Sequence, residues 1–215
     1  TEKQRLNEKM AKECDTIVAG LYEYLAIYEP LFPKKTEFIP FPIVCDDDTP
    51  TIEFHKDGEP IKIFIGINKS RSAYKGTDIM LKAAKEVESK YPDKLKLTVV
   101  ESVPFDEYRK MMMSCDAIVD QLYSYTPSMN PLEAMSHGLI CIGGGEPENY
   151  EVLNETELRP IVNVEPTFKS VYSQIENMVL HPENISTMQR QSIEYIRKHH
   201  DYIKVAKQYE KLYMK

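Results

Sequence analysis

Residues 61–100 run IKIFIGINKSRSAYKGTDIMLKAAKEVESKYPDKLKLTVV. Ile61 to Ile67 is a β-type run, and Leu95 to Val100 is another. Between them Ile79/Met80, Ala83/Ala84 and Val87 recur at four-residue spacing, which predicts a helix over Thr77–Lys90 with one apolar stripe to lie on a sheet. The alternation continues downstream: helix Phe105–Ser114, strand Ala117–Val119, helix Pro131–His137 and strand Leu139–Ile142. Strands alternating with helices of this length make a parallel α/β sheet with right-handed crossovers.

Working outward, Lys56-Asp57-Gly58-Glu59 is a turn signal that joins a further β-type run, Thr51–His55, to Ile61–Ile67. The N-terminal stretch is polar and helical in character, followed by a short buried strand over Asp15–Ala19 and an aromatic helix over Leu21–Tyr28. Pro30 and Pro33 end that helix, and the Pro-rich segment Thr36–Val44 suits an extended linker better than a central strand. Past the core come a strand at Ile161–Val164, helices near Val171–Leu180 and Ile185–Ile196, and a polar, aromatic helix ending at Tyr213. The expected division is 1–44, 45–198 and 199–215.

With 215 residues, 42% hydrophobic and 28% charged, the chain is composed like one globular domain, not a disordered, collagenous or coiled-coil one. A formal net charge of -7 argues against a broad basic surface, hence against nucleic acid as partner. Cys14, Cys45, Cys115 and Cys141 stand singly, without the close pairs of metal or redox motifs, which fits a reducing cytoplasm. No apolar run approaches the ~20 residues of a membrane span, and the first residues lack a signal-peptide core. The acidic run Asp46-Asp47-Asp48 reads as solvated linker, so no metal is expected.

Ligands of open parallel sheets bind at the carboxyl ends of strands, which directs attention to the loops after Ile67, Val100, Val119 and Ile142. The first, Asn68 to Gly76, carries Lys69, Arg71 and Lys75, three cations suited to a phosphate clamp or to an ordinary solvated loop. Further on, Ser128 to Gly138 predicts a helix with Asn130 as N-cap, Pro131 at its first position and Gly138 at its end. Glu133 falls at capping-box spacing from Asn130, so its carboxylate has a local structural reading. The free N–H groups of that helix start form an anion site facing the cationic loop. His137 is expected to cap the helix end as an imidazolium.

The K/R-rich loop ending in Lys75-Gly76, the stretch CDAIVDQ (115–121), then SMNPLEAMSHG (128–138) and Gly143-Gly144-Gly145 resemble the C-terminal domain of two-Rossmann-domain (GT-B) glycosyltransferases of the group 1, or family 4, type. The resemblance covers residues from about 36 to 215. It implies a Rossmann-like parallel sheet with helices on both faces, preceded by a helix/strand remnant of an N-terminal domain and followed by a crossing C-terminal helix that packs back toward the N-terminal segment through Tyr202, Ala206, Tyr209 and Tyr213. It further implies a donor nucleoside diphosphate bound by Lys75 and Arg71, with Lys69 nearby, and ribose hydroxyls held by Glu133. Ser102 and Val103 would contact the base largely by backbone, and Asn130, Leu132 and Gly144 would complete the donor site. The implied reaction moves a hexose-type sugar, with retention, to a saccharide or lipid-linked acceptor held by the N-terminal domain. No metal cofactor is implied, the place is cytoplasmic polysaccharide biosynthesis, and peripheral membrane contact is open to the full-length protein.

Two departures stand out. The family commonly carries a glutamate eight residues before Glu133, where this chain has Tyr125; Asp120-Gln121 is a subgroup trait, and Asp120 a possible substitute. Only the end of the acceptor domain is recognisable, so this stretch alone is expected to bind donor without turning it over. A nucleotide-sugar epimerase of the same fold and a non-catalytic nucleotide- or phosphate-binding module are the alternatives.

Overall fold

The computed structural model describes residues 1–214, the Lys69 side chain excepted. Helix α1 (Glu2–Glu13), strand β1 (Ile17–Ala19), helix α2 (Tyr22–Tyr28) and strand β2 (Thr36–Phe38) come first. β1 and β2 pair in parallel as a two-stranded sheet, so part of the expected linker is strand; Pro40 and Pro42 lie beyond its end, where no ladder N–H is needed. Strand β3 (Ile61–Ile67), short helix α3 (Ser72–Lys75), helix α4 (Thr77–Lys90), strand β4 (Leu95–Glu101), helix α5 (Phe105–Met112) and strand β5 (Ala117–Val119) follow. The chain closes with α6 (Met129–Ser136), β6 (Ile140–Gly143), α7 (Pro147–Glu151), β7 (Val162–Asn163), α8 (Phe168–Leu180), α9 (Ile185–His199) and α10 (Tyr202–Tyr213).

The main sheet has five parallel strands in the order β4-β3-β5-β6-β7. Period-two alternation divides its side chains between two cores. Ile61, Ile63, Ile65, Ala117, Val119, Ile140 and Ile142 meet Met80, Ala83, Ala84 and Val87 of α4 and Val171 and Ile175 of α8. On the other face Phe64 and Ile118 pack with Met112 of α5 and Ala134 of α6, and Cys141 packs with Tyr195 and Ile196 of α9. Helices thus cover both faces, which a parallel sheet requires.

The order places the first strand of this sheet, β3, between β4 and β5. The chain leaves β3 toward one edge and returns past it, so the carboxyl ends of β3 and β5 flank the point where the winding reverses. Such a point is where open α/β sheets form a crevice.

Two sequence expectations fail here. Residues 51–55 form no strand: the Ile52 amide donates to the His137 carbonyl (2.8 Å) and the His55 amide to Gln189 Oε1 (2.9 Å), so helices α6 and α9 consume the pairing groups. On α10 the inward residues are Val205, Tyr209 and Leu212, while Tyr202, Ala206 and Tyr213 are exposed, so Tyr209 alone of the expected stripe turns inward. The return toward the N-terminal segment is made instead by main chain, with the Ile43 amide on the His200 carbonyl (2.7 Å) and the Tyr202 amide on the Ile43 carbonyl (3.1 Å).

Candidate functional site

The loop after β3 begins as a 3-10 turn over Lys69–Arg71, with Asn68 Oδ1 accepting from the Ser70 amide (3.1 Å), and passes through α3 to Gly76. Gly76 has φ +68°, and a Cβ there would lie 2.7 Å from Leu122. Glycine at 76 therefore answers both a left-handed backbone and a close approach to the loop after β5. The Leu122 amide donates to the Lys75 carbonyl (2.8 Å), tying the two loops across the reversal point.

At that seam Lys75 Nζ lies 2.7 Å from Asp120 Oδ1, and Asp120 Oδ2 accepts from Ser128 Oγ (3.2 Å). Gln121, at φ +34°, donates its side-chain amide to the same hydroxyl (2.7 Å). Asp120 is thus bound by side chains, not by nearby backbone. The ammonium has three donors and gives one to Asp120, leaving two directed elsewhere. Arg71 is exposed and has no ion pair among the described residues; Lys69's side chain lies outside them.

Helix α6 starts two residues earlier than its sequence suggests. Ser128 is the N-cap position, though its hydroxyl serves Asp120 rather than a helix N–H. Pro131 becomes the third helical residue, where its missing N–H is still one of the four that a helix leaves unpaired. Asn130 does not cap; its Oδ1 accepts from Tyr108 of α5 (3.2 Å). The capping-box reading of Glu133 falls with it. The Glu133 carboxylate is 41% exposed and faces Arg109 Nε at 3.8 Å, leaving it open to a ligand. Leu132 is fully buried, main chain included, and presents no surface to a ligand.

Arg109 was not legible as a site residue, because its pairing with Glu133 arises from α5 lying beside α6. Its Nη2 also lies 3.3 Å from His137 Nε2, and His137 Nδ1 contacts the Pro50 carbonyl. Since a guanidinium only donates, the Arg109 contact is a hydrogen bond when Nε2 accepts, with Nδ1–H then facing the Pro50 carbonyl. Ser102 sits at φ +54° after β4, exposed, and Val103 packs against the α5–α6 core.

The glycine turn after β6 lies under the β5 loop. A Cβ on Gly144 would come 2.0 Å from the Ser124 carbonyl oxygen, and the Glu146 amide donates to the Tyr125 carbonyl (3.2 Å). From above, the same loop is held by Glu23 of α2. Its carboxylate accepts from Ser124 Oγ (2.6 Å), the Tyr125 amide (2.7 Å), the Thr126 amide (3.1 Å) and Thr126 Oγ1 (2.7 Å). Burial alone would raise the Glu23 pKa, but these hydrogen bonds outweigh it and hold the group below the usual carboxylate range. Tyr125, half exposed, lies 5.8 Å from the Tyr22 ring. Nothing in the local sequence announces Glu23, which is about a hundred positions from its partners. Of the acidic run, Asp46 bonds Thr49 and Asp47 pairs with Arg197 at 3.7 Å. No cluster of three or more metal-ligating side chains occurs among the described residues.

No family model and no curated protein matches the sequence. Solved structures do match. TarM superposes with TM-score 0.70 at 12% identity over 99% of this chain and 46% of its own. Sucrose-phosphate synthase from Thermosynechococcus elongatus gives 0.71 at 14%, covering 100% of this chain and 61% of the other. HepE of Anabaena, in complex with UDP-glucose, gives 0.67 at 13%, covering 96% and 65%. The chain has the fold of a GT-B C-terminal domain. It spans about half to two thirds of the length of these GT-B proteins. No helix among the described residues is long and apolar enough to cross a membrane.

Proposed function

We propose that this GT-B domain is the donor-binding part of a glycosyltransferase that uses a nucleoside-diphosphate sugar. The observation that carries the reading is the Lys75–Asp120 pair at the reversal point of the sheet, beside the start of α6. Asp120 orients Lys75 and leaves donors for the diphosphate; Arg71 reaches the same anion from the 3-10 turn; the N-terminal N–H groups of α6 supply neutral donors. Glu133 accepts from ribose hydroxyls, while Ser102 and Val103 present backbone to the base. As the anomeric C–O bond breaks, negative charge grows on the leaving diphosphate, and fixed donors stabilise that charge more than the ground state. Support comes from structures of the same fold whose names record UDP and glucose, UDP-glucose, or UDP and GlcNAc. Retention of configuration, a hexose donor and a saccharide or lipid-linked acceptor carry over from the resemblance, with the acceptor held by a preceding domain.

Calorimetric titration with UDP, GDP and ADP tests the reading. One diphosphate should bind, and Lys75→Ala should weaken it at least about tenfold, the loss of one charge-assisted hydrogen bond. Binding by no nucleotide, or binding indifferent to Lys75→Ala, would refute the assignment.

A further inference from the structure

A second cleft, of about 710 Å3, opens beyond the glycine turn and uses none of the groups assigned to the donor. Gly145, Tyr150, Glu151, Asn154, Arg159 and Asn163 line it. Its size falls within the roughly 300–1,000 Å3 of small-molecule sites. Arg159 is held in advance of any ligand. Its guanidinium lies 4.2 Å over the Tyr150 ring, and Nη1 donates to the carbonyls of Glu155 (3.2 Å) and Leu158 (2.8 Å). Nε and Nη2 have no partner among the described residues. Asn163 is fixed likewise: Oδ1 accepts from the Gly145 amide (3.0 Å), leaving the side-chain NH2 unpartnered among the described residues.

The charge of the lining selects the ligand. Glu155 is fully buried and paired with Lys198 (2.9 Å) and His199, so its charge is already met inside the protein. What faces the cleft is one guanidinium, one carboxylate from Glu151, two side-chain amides and the Thr156 hydroxyl on a largely apolar wall. A phosphate or carboxylate would gain Arg159 but meet Glu151. A sugar suits both, because each hydroxyl donates and accepts at once and its C–H faces are apolar. We propose that this cleft binds an uncharged saccharide. Its role, holding the part of an acceptor that extends past the transfer point, rests on the transferase reading; the binding itself does not. Because Asn163 also fixes the Gly145 amide, occupancy reaches the glycine turn through one hydrogen bond.

The experiment is saturation-transfer NMR on the whole chain with methyl glucoside, methyl galactoside, N-acetylglucosamine, maltose and lactose, and with glucuronate and inorganic phosphate as charged probes. At least one neutral sugar should bind, and Arg159→Ala should weaken it at least about tenfold, equivalent to 1.4 kcal/mol. Arg159 also ties backbone, so exposed Glu151→Ala, and Asn154→Gly, which suits the φ of +53° there, repeat the test in variants expected to fold. All three should leave the nucleotide titration unchanged. The proposal is overturned if no neutral sugar binds, if binding ignores these substitutions, or if glucuronate or phosphate binds in preference. A chain that binds sugar here but no nucleotide would refute the transferase reading and leave this one standing.

Discussion

Glu133 and Gly144 show how little a single residue's type says until its surroundings are known. Glu133 at capping-box spacing would stabilise α6, yet the helix begins at Met129 and its carboxylate is left beside Arg109, 41% exposed. Glu133→Ala should therefore change the unfolding free energy by no more than an exposed substitution does, roughly 0.5 kcal/mol, while weakening nucleoside-diphosphate binding in the calorimetric titration. Gly144 is the opposite case. The atom 2.0 Å from its would-be Cβ is a backbone carbonyl oxygen, which cannot swing aside as a side chain can. Gly144→Ala must push the Ser124–Thr126 loop off the turn, costing about 1–3 kcal/mol in denaturant unfolding and lowering nucleotide affinity with it. Equal affinity and stability in this variant would show that the loop is not set by the turn.

Among the elements, the loop between β5 and α6 depends on α2. Glu23 satisfies two backbone amides and two hydroxyls there, groups that would otherwise compete for water at a half-buried seam. Glu23→Ala should lower stability by about 1–2 kcal/mol, with faster hydrogen exchange at the amides of Tyr125 and Thr126; Glu23→Gln, which keeps one acceptor oxygen, should recover part of both. Unchanged exchange would mean that the glycine turn alone orders the loop. The strands β3 and β5 and helix α4 fall where their apolar patterns place them, because burial of one face dictates each pattern. α7 gave no such signal, having five residues and one turn's worth of periodicity.

At the scale of the whole molecule, the linker and the junction of α9 with α10 meet at His200. Burial holds its imidazole down at about 4, although Nδ1 donates to the Phe41 carbonyl (3.0 Å), and Nε2 is buried without a partner. The folded state then binds fewer protons than the unfolded one between about pH 6.5 and 4. Stability present at neutral pH is lost as pH falls through that window, by about 2 kcal/mol at pH 5. His200→Phe removes the titration, so the melting midpoint of the variant should fall less between pH 7 and pH 5 than that of the parent. Parallel pH profiles would show that His200 is not the group responsible.

Read alone, the sequence determined the α/β class, the alternation from Ile61 to Ile142 and the loops at whose strand ends cations and a helix start collect. Those features are periodic or adjacent in the chain, and local sterics with burial of one face suffice to specify them. Only the tertiary structure decided that Lys75 meets Asp120, that Arg109 meets Glu133, that Glu23 holds the Ser124–Thr126 loop and that residues 51–55 give their amides to helices. Each joins groups far apart in the chain through the order of strands, which single side chains do not encode. The cleft around Arg159 belongs with them, since a cavity is the space that packed elements leave between them.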